Sequence, residues 1–170
     1  MARGREIAVG YAVGCPHATL QAQHQKGRFV ESSRQQFELR IRVQPADIDE
    51  MGHVNNVVYL RWVQDVAIAH WRAAAPPSAQ VNIGWVVVRH EIDYKLAAGP
   101  DDEIIARTSV GPATRLTFER NTELLRAADR QLLARARSLW CPIDMKSGRP
   151  TEVSPEVRAG FSVDGSRPPG

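Results

Sequence analysis

The sequence predicts an α+β fold, in which one long helix lies against an antiparallel sheet of about five strands. Three observations carry this prediction. Residues 37–43 alternate between apolar and charged side chains, and residues 56–74 form an apolar segment without glycine or proline. Residues 85–143 then contain four further strand-like segments in succession.

The chain of 170 residues has the length of a single domain with a substantial core. We expect this domain to occupy residues 36–161. Residues 1–35 lack sustained periodicity and are rich in Gln, Gly, Ser and Arg, which predicts a flexible extension. Residues 162–170 are rich in Gly, Pro and Ser, which predicts a disordered tail.

The first predicted strand, Phe37–Val43, has apolar residues at odd positions and charged residues at even positions. A period of two is typical of a strand with one face buried. Pro45 ends the strand, and a turn rich in aspartate and glycine follows.

The predicted helix runs from about Asn56 to Ala74, or about 28 Å at 1.5 Å per residue. Its main apolar face follows helical spacing and comprises Tyr59, Trp62, Val63, Val66, Ala69, His70 and Ala73. Further apolar residues lie outside this face, so we expect the helix to be covered on most sides. Pro76 and Pro77 end it, because the residue before a proline is disfavoured in the α conformation.

The remaining elements follow from alternation and turn residues. The predicted strands are Trp85–Tyr94, Glu103–Val110, Thr114–Leu125 and Leu132–Ile143. A loop is expected between the proline pair and Trp85. Turns are expected at 99–102 and at Gly111-Pro112, with a hairpin connection at 127–130. Ser154-Pro155 is typical of a helix start, and predicts a short helix to about Phe161.

Charge and hydropathy exclude some classes of partner. The net charge is +3, and residues 1–35 hold five basic and two acidic residues, whereas the rest of the chain holds equal numbers of each. A neutral body argues against nucleic acid as the main partner. No apolar run approaches the roughly 20 residues that a membrane-spanning helix needs, so we expect no membrane partner.

The two cysteines, Cys15 and Cys141, are far apart and form no CxxC pair. We expect both to be free thiols in a reducing cytoplasm. The apolar run Ile7–Val13 before Cys15 loosely resembles an export signal. However, it is short, Gly10 interrupts it and Glu6 lies in its basic flank, so a cytoplasmic location is favoured.

The densest group of reactive side chains lies just before the long helix, over residues 47–59. A helix N-terminus offers unpaired N–H groups and partial positive charge, which stabilise a developing oxyanion. A neighbouring carboxylate can act as a nucleophile or a general base. This combination favours acyl chemistry.

A metal site is not expected. Asp47-x-Asp49-x-x-Gly52 matches part of an EF-hand loop, but the fifth and twelfth positions would be Met51 and Val58, whose side chains cannot bind calcium. No histidines, cysteines and carboxylates gather at zinc spacing.

The same stretch resembles a family signature. The matching residues are Asp47-x-Asp49-x-x-Gly52-His53-Val54-Asn55-Asn56-x-x-Tyr59. The pattern is similar to that of hotdog-fold thioesterases of the 4-hydroxybenzoyl-CoA thioesterase type, and its HVNNxxY part also resembles plant acyl-ACP thioesterases. The likeness extends from about residue 37 to 161.

The resemblance implies a hotdog fold, a sheet wrapped around the central helix, and pairing of chains edge to edge. Active sites would lie at the interface of a homodimer, and the assembly would be either that dimer or a homotetramer made of two dimers. Two departures from the family pattern are present. His53 and the pair Asn55-Asn56 are absent from much of the 4-hydroxybenzoyl branch. Ala97-Ala98 replace a frequent proline, and we expect this second departure to have little mechanistic consequence.

The resemblance assigns catalysis to Asp49 and polarisation of the thioester carbonyl to the backbone N–H of Asn56. The alternative is that Asp49 only caps the turn or the helix. Of the two aspartates, Asp47 is the better candidate for such a cap. His53 would orient substrate, bond the loop or assist proton transfer.

Three further residues are expected near the substrate. Asn55 is predicted to cap the helix and so to aim its N-terminus. Tyr59 and Trp62 lie one turn apart on the same face, either as core residues only or also as the lining of an acyl pocket.

The expected activity is hydrolysis of an acyl-CoA or acyl-carrier-protein thioester to a free acid and a thiol. No cofactor is expected, since CoA or phosphopantetheine would be part of the substrate. Two alternatives remain: a non-catalytic acyl-CoA sensor or scaffold, and a hydratase that acts on enoyl-CoA.

Overall fold

The computed structural model describes residues 36–161. The extension 1–35, the tail 162–170 and therefore Cys15 lie outside this range, while Cys141 is a free thiol. The strands are β1 (Phe37–Arg42), β2 (Ile83–Tyr94), β3 (Glu103–Ala113), β4 (Phe118–Arg126) and β5 (Leu132–Asp144). The helices are α1 (Asn56–Ala74), α2 (Pro77–Asn82) and α3 (Pro155–Ala159), and a 3₁₀ turn spans Pro45–Asp47.

The strands form one sheet in the order β1-β3-β4-β5-β2, and every neighbouring pair is antiparallel. This confirms the predicted five-stranded sheet and α+β class. The first and second strands in the chain occupy opposite edges, because α1 carries the chain across one face of the sheet before β2 begins. None of the helices in the described range is long and apolar enough to cross a membrane.

Helix α1 packs its predicted face onto the sheet. Tyr59, Trp62, Val63 and Val66 are at most 2% exposed and share one core cluster with residues of β3, β4 and β5. The helix is not covered on most sides, however. Val57 is 72% exposed and Ile68 is 39% exposed, because a single sheet covers only one side of the helix.

Two local predictions were wrong. The segment after Pro76 forms the short helix α2 rather than a loop, since a proline at the first helical position needs no hydrogen-bond partner for its nitrogen. Strand β3 continues through Gly111-Pro112 instead of turning there, and the pairing with β4 shifts register between Val110 and Ala113. This irregularity accommodates the proline, and the turn closes later, where Thr114 N–H donates to the Thr117 carbonyl.

A buried polar pair joins α1 to the sheet. Nη1 of Arg120 lies 3.0 Å from Nδ1 of His70 and donates to it, and both residues are at least 91% buried. Phe37 stacks on the imidazole at 5.1 Å, and Phe161 meets it edge-on at 4.9 Å. Burial first, and the Arg120 charge second, lower the pKa of His70 to about 4.

We predict that His70 makes stability depend on pH. Its pKa is lower in the folded chain than the ordinary 6.5, so the stabilisation is complete above pH 6.5 and is lost as pH falls towards about 4. The shift corresponds to about 3 kcal/mol in the free energy of unfolding. Urea unfolding of the wild type and of His70→Gln at pH 7 and pH 4 measures this difference.

Carboxylates titrate in both proteins, so their effect cancels in the comparison. Equal losses of stability in wild type and His70→Gln would contradict the assignment.

Candidate active site

A groove opens where α1 begins. It has a volume of about 380 Å³ and lies between the loop before the helix and the segment after β2. Five of the six predicted site residues line it: Asp49, His53, Asn55, Asn56 and Tyr59.

The backbone of the loop folds around Asp49. Its N–H donates to the His53 carbonyl at 2.8 Å, and its carbonyl accepts the N–H of Gly52 at 3.0 Å. Gly52 has a φ of 77°, a left-handed conformation that glycine adopts without strain. This tight turn brings the side chains of Asp49 and His53 to the same groove.

The Asp49 carboxylate is held by one oxygen. Oδ1 accepts the N–H of Met51 at 2.9 Å and, more weakly, that of His53 at 3.4 Å. Oδ2 has no hydrogen-bond donor among residues 36–161, and the side chain forms no ion pair there. Asp49 therefore does cap the turn through Oδ1, and its Oδ2 remains available to a molecule in the groove.

Asp47 has a different position. It is 2% exposed, Arg61 of α1 donates to its Oδ1 at 2.6 Å, and the N–H of Gln44 donates to its Oδ2 at 2.9 Å. Both carboxylate oxygens are thus engaged in fixing the 3₁₀ turn to the helix. Asp47 does not line the groove.

The first backbone N–H of α1, that of Asn56, has no acceptor among the described residues. Asn55 is the N-cap, as predicted, and its Oδ1 accepts the N–H of Val57, while its carbonyl accepts the N–H of Val58. The N–H of Asn56 donates to no residue within 36–161. An unpaired N–H at the positive end of a 19-residue helix is suited to bind an oxygen that gains negative charge.

His53 is exposed, and its imidazole forms no hydrogen bond within the described part of the chain. Tyr59 lies at the inner wall, where its oxygen accepts the N–H of Ala98 at 2.7 Å. The structure does not bring Trp62 to this groove. Trp62 is 1% exposed and lies behind Tyr59, with ring centroids 5.3 Å apart.

The outer wall contains residues that were not among the predicted site residues. They are Met51, Tyr94, Lys95, Leu96 and Ala97. Tyr94 donates its hydroxyl hydrogen to the Asn56 carbonyl at 3.0 Å and meets Tyr59 edge-on at 5.4 Å. In the sequence, Tyr94 is the last residue of a predicted strand, which is what indicates where this wall lies. The described residues contain no group of three His, Cys, Asp or Glu side chains that could hold a metal.

A sequence profile described as "Thioesterase-like superfamily" matches residues 43–161, which is more than half of the chain. No curated protein sequence matches significantly.

Three solved structures illustrate the structural likeness. A mutant of 4-hydroxybenzoyl-CoA thioesterase in complex with 4-hydroxybenzoyl-CoA has 21% identity and a TM-score of 0.70, over 76% of this chain and 100% of that one. The dynemicin thioesterase has 21% identity and a TM-score of 0.69, over 75% and 96%. A 1,4-dihydroxy-2-naphthoyl-CoA thioesterase from Synechocystis has 18% identity and a TM-score of 0.66, over 75% and 96%. These likenesses confirm the predicted hotdog fold.

We predict that Tyr59→Phe destabilises the chain by about 1–3 kcal/mol, because it leaves the buried N–H of Ala98 without an acceptor. Urea denaturation measures the change. Tyr94→Phe is the matched control, since its hydroxyl is near solvent and its loss should change the free energy of unfolding by less than about 1 kcal/mol. Equal stability of Tyr59→Phe and wild type would contradict this role of Tyr59.

Proposed function

This chain belongs to the thioesterase-like superfamily, and we propose that it hydrolyses an acyl-CoA or acyl-carrier-protein thioester to a carboxylic acid and a free thiol. The observation that carries the proposal is the presence of two complementary groups in one open groove: a carboxylate oxygen of Asp49 and the N–H of Asn56, neither paired within residues 36–161.

The N–H of Asn56 would bind the carbonyl oxygen of the thioester. Attack on the carbonyl carbon converts this oxygen to an oxyanion, and the helix dipole and the N–H stabilise that charge more than they stabilise the neutral carbonyl. Removing one such donor typically costs about 3 kcal/mol in the activation free energy. Asn56 acts through its backbone, so its position on α1 matters more than its side chain.

Asp49 would supply the attacking group by one of two routes. As a nucleophile it forms a mixed anhydride while the thiolate leaves, and water then hydrolyses the anhydride. As a general base it takes a proton from water, and the resulting hydroxide displaces the thiolate, which receives the proton. Either route consumes one water and releases one acid and one thiol. His53 lines the same groove, and its imidazole forms no hydrogen bond within residues 36–161; it would orient the substrate or transfer the proton to the thiolate.

The acyl group would enter beside Tyr59 and Tyr94, whose rings offer an apolar and aromatic wall. Two of the similar structures bear the names of aromatic acyl-CoA thioesterases. Lys95, at the outer wall, would meet the negative charge of a phosphate on CoA or on phosphopantetheine.

We propose also that two copies pair through β2, so that the groove lies at the interface. β2 is an edge strand of 12 residues, and among residues 36–161 it pairs only with β5. A long unpaired edge is a template for another strand. Val86 and Val88 are 52% and 59% exposed on this strand. Because Tyr94 ends the same strand, pairing there would bring the second copy to the outer wall of the groove.

We predict that Asp49→Asn and Asp49→Ala lower thioester turnover by roughly 10²–10⁴-fold. Asparagine keeps an oxygen for the N–H groups of Met51 and His53, so the loop should retain its shape while the negative charge is lost. A thiol-release assay over a panel of aliphatic and aromatic acyl-CoA and acyl-carrier substrates measures the effect.

Glu50→Gln is the matched control, since this neighbouring carboxylate is exposed and does not line the groove; its turnover should equal that of wild type. Wild-type rates in both Asp49 variants would refute the assignment. Binding of acyl-CoA without thiol release by the wild type would instead indicate the sensor, and loss of enoyl absorbance without thiol release would indicate a hydratase.

We predict that a double variant, Val86→Lys with Val88→Lys, shifts the mass in analytical ultracentrifugation from dimer to monomer, because four lysines would face each other across the paired edge. Val81→Lys is the control: Val81 is 73% exposed but lies on α2, outside the sheet. A dimer that persists in the double variant, or a monomeric wild type, would contradict pairing through β2.

A further inference from the structure

A second cavity lies at the other end of α1. It has a volume of about 70 Å³ and is bounded by the second half of α1, by α3 and by the sheet. From Asn56 to Ala67, the first residue of α1 in its wall, the helix axis advances about 16 Å. No residue lines both this cavity and the groove that contains Asp49.

The wall of the cavity includes a buried cation, Arg120, that has no acidic partner among residues 36–161. Arg120 is 9% exposed, and its Nη1 donates to Nδ1 of His70 at 3.0 Å and to Oγ1 of Thr108 at 3.3 Å. Neither partner is a carboxylate, and no ion pair involves Arg120 within residues 36–161. Burial lowers the pKa of Arg120 to about 10, so the guanidinium is still charged at neutral pH.

This arrangement is unusual, because buried charges in proteins are normally paired. The adjacent carboxylate of Glu119 does not provide the pairing. Alternate side chains of a strand point to opposite faces, and the carboxylate of Glu119 accepts hydrogen bonds from Arg137 at 2.6 and 2.8 Å.

Two further donors in the wall have no acceptor in the part of the chain that the structure describes. They are the buried indole Nε1 atoms of Trp85 and Trp140, and both residues line the cavity. A buried N–H without an acceptor has lost its hydrogen bond to water without compensation, which is unfavourable. The cavity wall therefore combines one cation and two N–H donors. None of the three binds an anionic acceptor within the described residues.

Glu119 also lines the cavity, and Arg137 binds its carboxylate. The other residues of the wall are apolar and mainly aromatic. Trp71 meets Trp85 edge-on at 5.3 Å and stacks on Phe161 at 5.7 Å, and Phe118 meets Trp85 edge-on at 5.1 Å. A strongly hydrated inorganic anion would gain little among these rings. An anion with an apolar body would satisfy both the donors and the rings.

We propose that this cavity binds a short-chain organic carboxylate. Its oxygens would accept hydrogen bonds from the guanidinium of Arg120 and from the indole N–H groups, and its hydrocarbon part would lie among the aromatic rings. The cavity volume suits acids of a few carbons, and Ile68, 39% exposed, marks the side that is open to solvent.

The test uses the full chain with propionate and butyrate as probes. Three of the four tryptophans line the cavity, so the binding of either acid should change tryptophan fluorescence, and calorimetry gives the dissociation constant. Butyramide has the same shape as butyrate without its charge, and we expect it to bind at least 10-fold more weakly. No thioester is needed, so the result does not depend on the proposed hydrolysis.

Variants identify the contacts. Arg120→Gln should weaken butyrate binding at least 10-fold, and Trp140→Phe, which removes the N–H but keeps an aromatic ring, should weaken it severalfold. Arg40→Gln is the control, because Arg40 lies exposed on β1 and should leave binding unchanged.

The proposal is overturned if the wild type binds neither acid at tens of millimolar, or if butyramide binds as well as butyrate. It is also overturned if Arg120→Gln binds butyrate like the wild type. Should Arg120→Gln fail to fold, the comparison of acid with amide and the Trp140→Phe variant still decide it.

Discussion

The groove at the start of α1 depends on the way in which one buried residue, Ala98, joins three parts of the chain. Its carbonyl accepts the N–H of Val54 in the loop, and its N–H donates to the oxygen of Tyr59 on the helix. Ala98 is fully buried, so neither bond is exchanged with water. Loop, helix and the segment after β2 therefore keep a fixed spacing. A proline at position 98 would break this arrangement, because it would lack the N–H that donates to the Tyr59 oxygen.

Local pattern predicted most of the fold and half of the groove. The alternation of Phe37–Val43 and the proline pair after Ala74 fixed β1 and the end of α1, because each signal lies within the element it describes. The inner wall of the groove was predicted for the same reason, since Asp49 and Asn56 are close in sequence. Tyr94 and the residues after it reach the groove only through the pairing of distant strands, which no local period encodes.

Arg120 shows a different limit of sequence reasoning. It lies on the same face of β4 as Phe118, Thr122 and Leu124, so strict alternation places it inside the molecule. Arginine side chains are mostly exposed in proteins, yet Arg120 is only 9% exposed. His70 was the matching signal on the helix, a polar residue on an apolar face, but a pairing of the two requires the helix and the sheet to be docked. Buried polar partners from separate elements are recognised only in three dimensions.

The left-handed turn at Gly52 also bears on how this loop can vary. A β-carbon built at that position meets nothing within 4 Å, so the demand for glycine comes from the backbone angle and not from crowding. Asparagine, which tolerates positive φ better than other side chains, is therefore the substitution that sequence drift could accept there, whereas a β-branched residue would distort the turn. The turn between Asp49 and His53 consequently has room for a new side chain that would not crowd the residues lining the groove.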